Sequence, residues 1–340
     1  MQNFGITKKG EQASLFVLEN KNHMKAAVTD YGATLVQLWV PDDNGQLHDV
    51  VLGYDDVKGY EEGTVFFGAT VGRVANRMKD ASFELNGICY QMEKNDGDNT
   101  LHSGRDFTNQ RMWTVKEHDD RHVTFALFSP DGDQGFPGDV EVLVTYTLTD
   151  DNEVKIHYYA VPEKDTLLGF TNHSYFNLSG HASGDVLSQE VMIDADAFTR
   201  ADAHSITTGE LVSVDGTPMD FRVMKSIGQD IEKDYEALNF GNGYDHNWAL
   251  NGNGMRKVAA MYSEETEISM EVYTDMPGMQ FYTGNFIESE SGKEGAVYEK
   301  RSGACFETQY FPDAIHKDNF EKPVVRAGEV YETTTVYKFL

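Results

Sequence analysis

Positive charge is scarce in this sequence. It carries 28 Lys and Arg against 56 Asp and Glu, a formal net charge of −28 over 340 residues. A protein that grips nucleic acid needs a basic face to displace counterions, so nucleic acid is excluded as a partner, and an anionic membrane surface with it. A neutral small molecule is indifferent to this field, and the excess acid serves solubility. Cysteine is almost missing: only Cys89 and Cys305 occur, which is no disulfide framework and fits a reducing compartment. No apolar run approaches the length of a membrane span, and the first thirty residues lack the basic start and apolar stretch of a secretory signal. A soluble, cytoplasmic protein is the expectation.

Several chemical signatures are absent too. There is no His-Glu-x-x-His, no Cys-x-x-Cys and no close His/Asp cluster at ligand spacing, so no metal is expected. His102, His173 and Glu307 could meet on a metal only through long-range folding, for which the sequence carries no cue. The "GNG" at 241–243 lacks the following Lys-Ser/Thr of a phosphate cradle, and no Gly-x-Ser-x-Gly elbow occurs.

What the sequence does have is period-two alternation. In 140–149, Val140, Val142, Val144, Tyr146 and Leu148 share one face, and after a turn at 150–152 the pattern resumes with Val154, Ile156, Tyr158 and Ala160, a long antiparallel hairpin. Residues 267–274 and the Thr/Val/Tyr-rich C-terminal stretch read as further strands, and Asn44-Gly45 as a turn between two more. Helical spacing is rare; the best candidate is 226–238, with Ile227, Ile231, Tyr235 and Leu238 in phase. With 31 Gly, 8 Pro, no linker and no repeat, the pattern predicts an all-β chain. Residues 1–340 are expected to form a single large antiparallel β-sandwich domain with an open polar groove.

Six stretches set polar chemistry on one side of an apolar rhythm. If 172–178 is extended, His173, Tyr175 and Asn177 face one way and Phe176 and Leu178 the other. Cys305, Glu307 and Gln309 oppose Phe306 and Thr308; Gln280 and Tyr282 oppose Met279 and Phe281. "GRVANRMK" holds Arg73, Asn76 and Arg77, "NTLHSG" holds His102, and "GNGYDHNWAL" holds Asp245. Each residue alone has a plain structural reading: a satisfied core histidine, a solvated carboxylate, a surface ion pair, a turn former. Together they supply acid–base groups and hydrogen-bonding groups, an inventory that suits a polyhydroxylated ligand.

The ordered set "GRVANR", "NTLHSG", "TNHSYFNLSG", "GTPMDFR", "GYDHNWAL", "PGMQFYTGNF" and "ETQYFPDA" resembles the aldose 1-epimerase (galactose mutarotase) family over nearly the whole chain. The resemblance implies interconversion of the α and β anomers of free aldohexoses such as galactose and glucose. Glu307 would be the general base at the anomeric hydroxyl and His173 the general acid at the ring oxygen. Asn76, Arg77, His102, Tyr175, Asp245 and Gln280 would bind or line the sugar. It implies no cofactor and a monomer or homodimer. The chemistry calls for a Glu307 carboxyl near or slightly above its ordinary range and a raised His173 imidazole. Ser103 and Tyr310 depart from the family's usual residues beside the groove. The rival readings are a glycoside hydrolase pairing Glu307 with Asp245, an epimerase of sugar phosphates drawing on Arg73, Arg77 and Arg105, and a non-catalytic sugar-binding module.

Overall fold

The alternation resolves into three large antiparallel sheets in the computed structural model of the chain, which describes residues 1–340. Strands Gln2–Ile6, Gln12–Glu19, Lys25–Thr29, Thr34–Pro41 and Leu47–Asp49 form a five-stranded meander, its last link the turn at Asn44-Gly45. A nine-stranded sheet contains the hairpin Val140–Leu148/Glu153–Pro162. The C-terminal strand Tyr331–Phe339 lies inside that sheet, between Glu153–Pro162 and Ser269–Thr274. The third sheet runs in the order Tyr175–Phe176, Ala304–Gln309, Gly278–Tyr282, Asp245–Ala249, Ala197–Ala201, Thr207–Ser213.

The nine- and six-stranded sheets face each other. Phe176 packs on Tyr337 at 4.7 Å between ring centres, Tyr337 donates from its hydroxyl to the Phe306 carbonyl, and the Thr308 and Thr335 hydroxyls bond across the gap. Trp248, Phe281 and Phe306 are buried in this layer, and each side chain of this size taken from water contributes about 1.5–3 kcal/mol. A second apolar cluster joins Phe4, Leu15 and Leu52 of the meander region to Tyr175, Tyr282 and Cys305 on the other side of the six-stranded sheet. Beside it the buried Lys293 ammonium donates to Asp49 (2.6 Å) and to the Val36 and Val51 carbonyls, so its charge is paired and all three donors are used.

The helix expected over 226–238 does not form. Ile227–Gln229 is a 3-10 turn, and the α-helix begins only at Glu236 and runs to Gly241. The apolar residues reach the core as their spacing suggested, with Ile227, Ile231 and Leu238 buried. They arrive from separate turns, because the Gly228 amide is drawn to the Leu187 carbonyl and the Asp230 carbonyl accepts from Lys233 in a turn. Asp230 also holds Lys225 and Lys233 at 2.6 and 2.7 Å, pinning that turn from both sides. The single extended run at 172–178 is likewise interrupted. Strand Thr171–His173 ends where Asn172 Oδ1 accepts the Ser174 amide and hydroxyl, and pairing resumes on a different strand at Tyr175–Phe176.

Candidate active site

Strand register lays out the floor of a cavity. Asn247 stands opposite Gln280, and Gln280 opposite Glu307. One step along, Asp245 faces Tyr282, Tyr282 faces Cys305, and Cys305 faces Tyr175. Because alternate residues of a strand share a face, both rows point away from the layer that holds Trp248, Phe281 and Phe306. The rows are cross-braced: Gln280 Nε2 donates to Asp245 Oδ1 at 2.6 Å, and Gln309 Nε2 to Asn247 Oδ1 at 3.2 Å.

The walls come from residues 64–102 and from His173. Asn76 and His102 both adopt the left-handed backbone region, at φ 63° and 50°. The two hold each other: the Asn76 amide donates to His102 Nδ1 at 3.1 Å, and the His102 amide to the Asn76 carbonyl at 3.0 Å. Asn76 Oδ1 accepts the Arg77 amide, and the Arg77 guanidinium is aimed by Asp96, 2.7 Å from Nε. The His173 imidazole lies between two nearly parallel rings, Tyr175 at 5.0 Å and Phe66 at 5.8 Å. Phe66 reaches that position through a left-handed backbone at φ 58°, a costly conformation for an aromatic residue.

The cavity opens to solvent and has a volume of about 290 Å³, the size of a small polar ligand site. Asn76, Arg77, His102, His173, Tyr175, Asp245, Gln280 and Glu307 all line it. Sequence reasoning missed Thr64, Val65, Phe66, Leu101 and Phe286 as lining residues. Tyr282 was readable from its alternation with Gln280, whereas the "VFF" at 65–67 carries no signal of a wall.

Other expected positions lie elsewhere. Arg73 is buried, donating to the Ser129 hydroxyl and to the Ser129, Pro130, Pro137 and Gly138 carbonyls, so it is a structural clamp. Arg105 is exposed beside Glu93. Asn177 does not continue the polar face of His173 and Tyr175, because its amide is consumed by the Gly184 and Ser302 carbonyls. Ser103 exchanges hydrogen bonds with the Val74 backbone, and Tyr310 lines a separate small recess with Val74 and Gly169. Neither belongs to the cavity wall.

His173 Nε2 stands 3.6 Å from Glu307 Oε1, too long for a hydrogen bond but close enough for both groups to reach one small ligand. Burial, with Asp245 adding to it and Arg77 opposing, pushes the Glu307 carboxyl well above its usual range. Burial drives the His173 imidazole down to about 4, which reverses the expectation of a raised value: removal of water from around the ring outweighs the hydrogen bond to its own backbone. A carboxylic acid beside a neutral imidazole and a carboxylate beside an imidazolium hold the same number of protons. Burial favours the first arrangement, and a polar ligand that supplies hydrogen bonds to the charges favours the second.

Three groups unlinked in the sequence, His102, His173 and Glu307, bring possible metal-ligand atoms within 4.8 Å of one another. The His102 ring is committed otherwise. Its Nδ1 accepts the Asn76 amide, so in the neutral ring Nε2 carries the hydrogen and presents a donor rather than a lone pair. Burial and the nearby His173 and Arg77 keep that ring neutral. As folded, the trio suits a hydroxyl better than a metal ion.

The cavity of this β-sandwich thus pairs an acid–base couple with amide, guanidinium and carboxylate groups, a set that suits a polyhydroxylated ligand. The family model for aldose 1-epimerase matches residues 14–338, and the chain belongs to that family. It is 40% identical over 320 residues to galactose mutarotase of Bos taurus, covering 94% of this chain and 92% of that one. To aldose 1-epimerase of Escherichia coli it is 35% identical over 339 residues, covering 98% and 97%. The crystal structure of an aldose epimerase homologue from C. elegans superposes with a TM-score of 0.90 at 31% identity, over 96% of this chain and 99% of that one. That of galactose 1-epimerase from Lactobacillus acidophilus gives 0.87 at 28% identity, over 99% and 97%.

Proposed function

We propose that this protein is a mutarotase, interconverting the α and β anomers of free aldohexoses such as galactose and glucose. The observation that carries the reading is the approach of His173 Nε2 to Glu307 Oε1 at 3.6 Å inside a cavity that also presents Asn76, Arg77, His102, Asp245 and Gln280. With sugar bound, the Glu307 carboxylate takes the proton of the anomeric hydroxyl while the His173 imidazolium gives one to the ring oxygen. The bond between C1 and the ring oxygen breaks, leaving an aldehyde, a carboxylic acid and a neutral imidazole. The C1–C2 bond turns, and the same two protons return as the ring closes on the other face. No electron leaves the sugar, and the proton count of the pair is restored.

The remaining groups hold hydroxyls. His102 offers a donor, Arg77 offers donors aimed by Asp96, Asp245 accepts, and Gln280 and Asn76 supply amides. A free sugar fits better than a phosphorylated one. Arg73 is buried elsewhere, Arg77 is paired, and the recess adjoining the cavity carries Asp80, Asp96, Asp98 and Asp202. Retention of an acid and a base in one cavity supports an enzyme over a passive binder.

Polarimetry of freshly dissolved α-D-glucose and α-D-galactose tests this directly. The protein is expected to speed the approach to the equilibrium rotation, and Glu307→Gln or His173→Asn to lower kcat by roughly 10²–10⁴-fold with the fold intact. A purified wild-type protein that leaves the uncatalysed rate unchanged sinks the reading.

A further inference from the structure

The mechanism uses one nitrogen of His173 and leaves the other unexplained. Nδ1 points away from the cavity, toward the Cys305 sulfur at 3.5 Å. Cys305 stands on the floor strand directly opposite Tyr175 and Tyr282, the former stacked on the imidazole and the latter edge-on to it at 6.2 Å. The thiol is fully buried. It therefore lies behind the ring at its Nδ1 edge, while Glu307, two residues along the same strand, lies at the Nε2 edge.

We propose that Cys305 is the positioning residue of the acid, accepting a hydrogen bond from Nδ1–H of His173 so that Nε2 remains the nitrogen that gives and regains the proton. This inference rests on the mutarotase reading. A neutral imidazole has one N–H, and which nitrogen carries it is set by the partners of each. With the Cys305 sulfur beside Nδ1, Nε2 is left free to titrate toward the sugar.

The choice of sulfur matters for a group that must be acid on opening and base on closing. A carboxylate behind Nδ1 would hold the imidazolium charge and make the ring slow to give up its proton. A thiol is a weak, uncharged acceptor, and burial pushes the Cys305 thiol up, so it stays uncharged across the working pH range. The groups facing His173 are then Glu307 and Cys305 from the floor strand, Tyr282 from its neighbour, and Tyr175, Phe66 and His102 around the ring. Of these only Glu307 exchanges charge with it. The alternative is that Cys305 merely fills space in the second apolar cluster, of which it is a member.

Cys305→Val and Cys305→Ser separate the two. Valine keeps the apolar bulk and removes the acceptor, whereas serine keeps a group that can accept. Val is expected to lower kcat about three- to tenfold at unchanged KM, the worth of one ordinary hydrogen bond. It should also move the alkaline limb of the kcat–pH profile to lower pH, because the imidazolium loses a partner. Ser is expected to recover most of the turnover. In ¹⁵N spectra His173 should show the Nδ1–H tautomer in wild type and a mixture in the Val variant, a reading that needs no activity. A Val variant with wild-type kcat and pH profile, or a loss that Ser does not recover, overturns the proposal. A wild type that fails to mutarotate sugars overturns the functional reading instead, and the ¹⁵N comparison then decides the tautomer alone.

Discussion

The pair at the centre of the cavity works against the fold that holds it. Glu307 is almost wholly inaccessible and its carboxyl is pushed well above the ordinary range. A group whose folded pKa is raised lends its full stability only below the unfolded value and loses it as pH rises from there. Glu307→Gln, which cannot ionise, should therefore melt on the order of 2 °C above wild type at pH 7, and the advantage should vanish near pH 4. Equal melting temperatures at both pH values would show that the carboxylate carries no penalty. His173 runs the other way: its value falls below the unfolded one, so its contribution is present above the ordinary imidazole range and is lost as pH drops toward 4. The residue types of both groups were legible in the sequence, but the direction of the His173 shift was not. Alternation reports which side of a strand a residue faces, and says nothing of how much protein is stacked above that side.

At the scale of the strand, the floor depends on a residue that has no side chain. Gly278 pairs with Gln309, and a Cβ there would sit 2.6 Å from Asn247 Oδ1 and 2.7 Å from the Phe311 ring. Gly278→Ala should disturb the Gln309–Asn247 bond, cost about 1–3 kcal/mol in stability and raise KM more than it lowers kcat. A variant with wild-type melting temperature and KM would show that the floor absorbs the methyl group. The strands that build this floor could be read in advance, since 276–286 and 305–309 alternate cleanly between polar and apolar. Their order in the sheet could not, because pairing of Tyr175–Phe176 with Ala304–Gln309 spans more than a hundred residues. The left-handed Asn76 and His102 were equally hidden, as was the replacement of a helix at 226–238 by turns that bury the same isoleucines. Helical spacing certifies only that certain residues go inside. Gly228 and Asp230 decided how.

Over the whole molecule, the apolar clusters interleave distant segments. The larger joins Phe16 to Phe339, and the smaller ties the meander's Phe4 and Leu15 to the floor's Tyr282 and Cys305. We expect one cooperative unfolding transition in consequence, with Trp39 in the meander and Trp248 in the floor reporting the same midpoint. Two separated midpoints, read from single-tryptophan variants, would divide the chain into independent units. The place of Tyr331–Phe339 carries a further consequence. Until those nine residues dock, Glu153–Pro162 and Ser269–Thr274 each present a bare edge to solvent. A folding chain is thus left with an open seam in its largest sheet, ready to accept any strand that passes, and only the docking of Tyr331–Phe339 closes it.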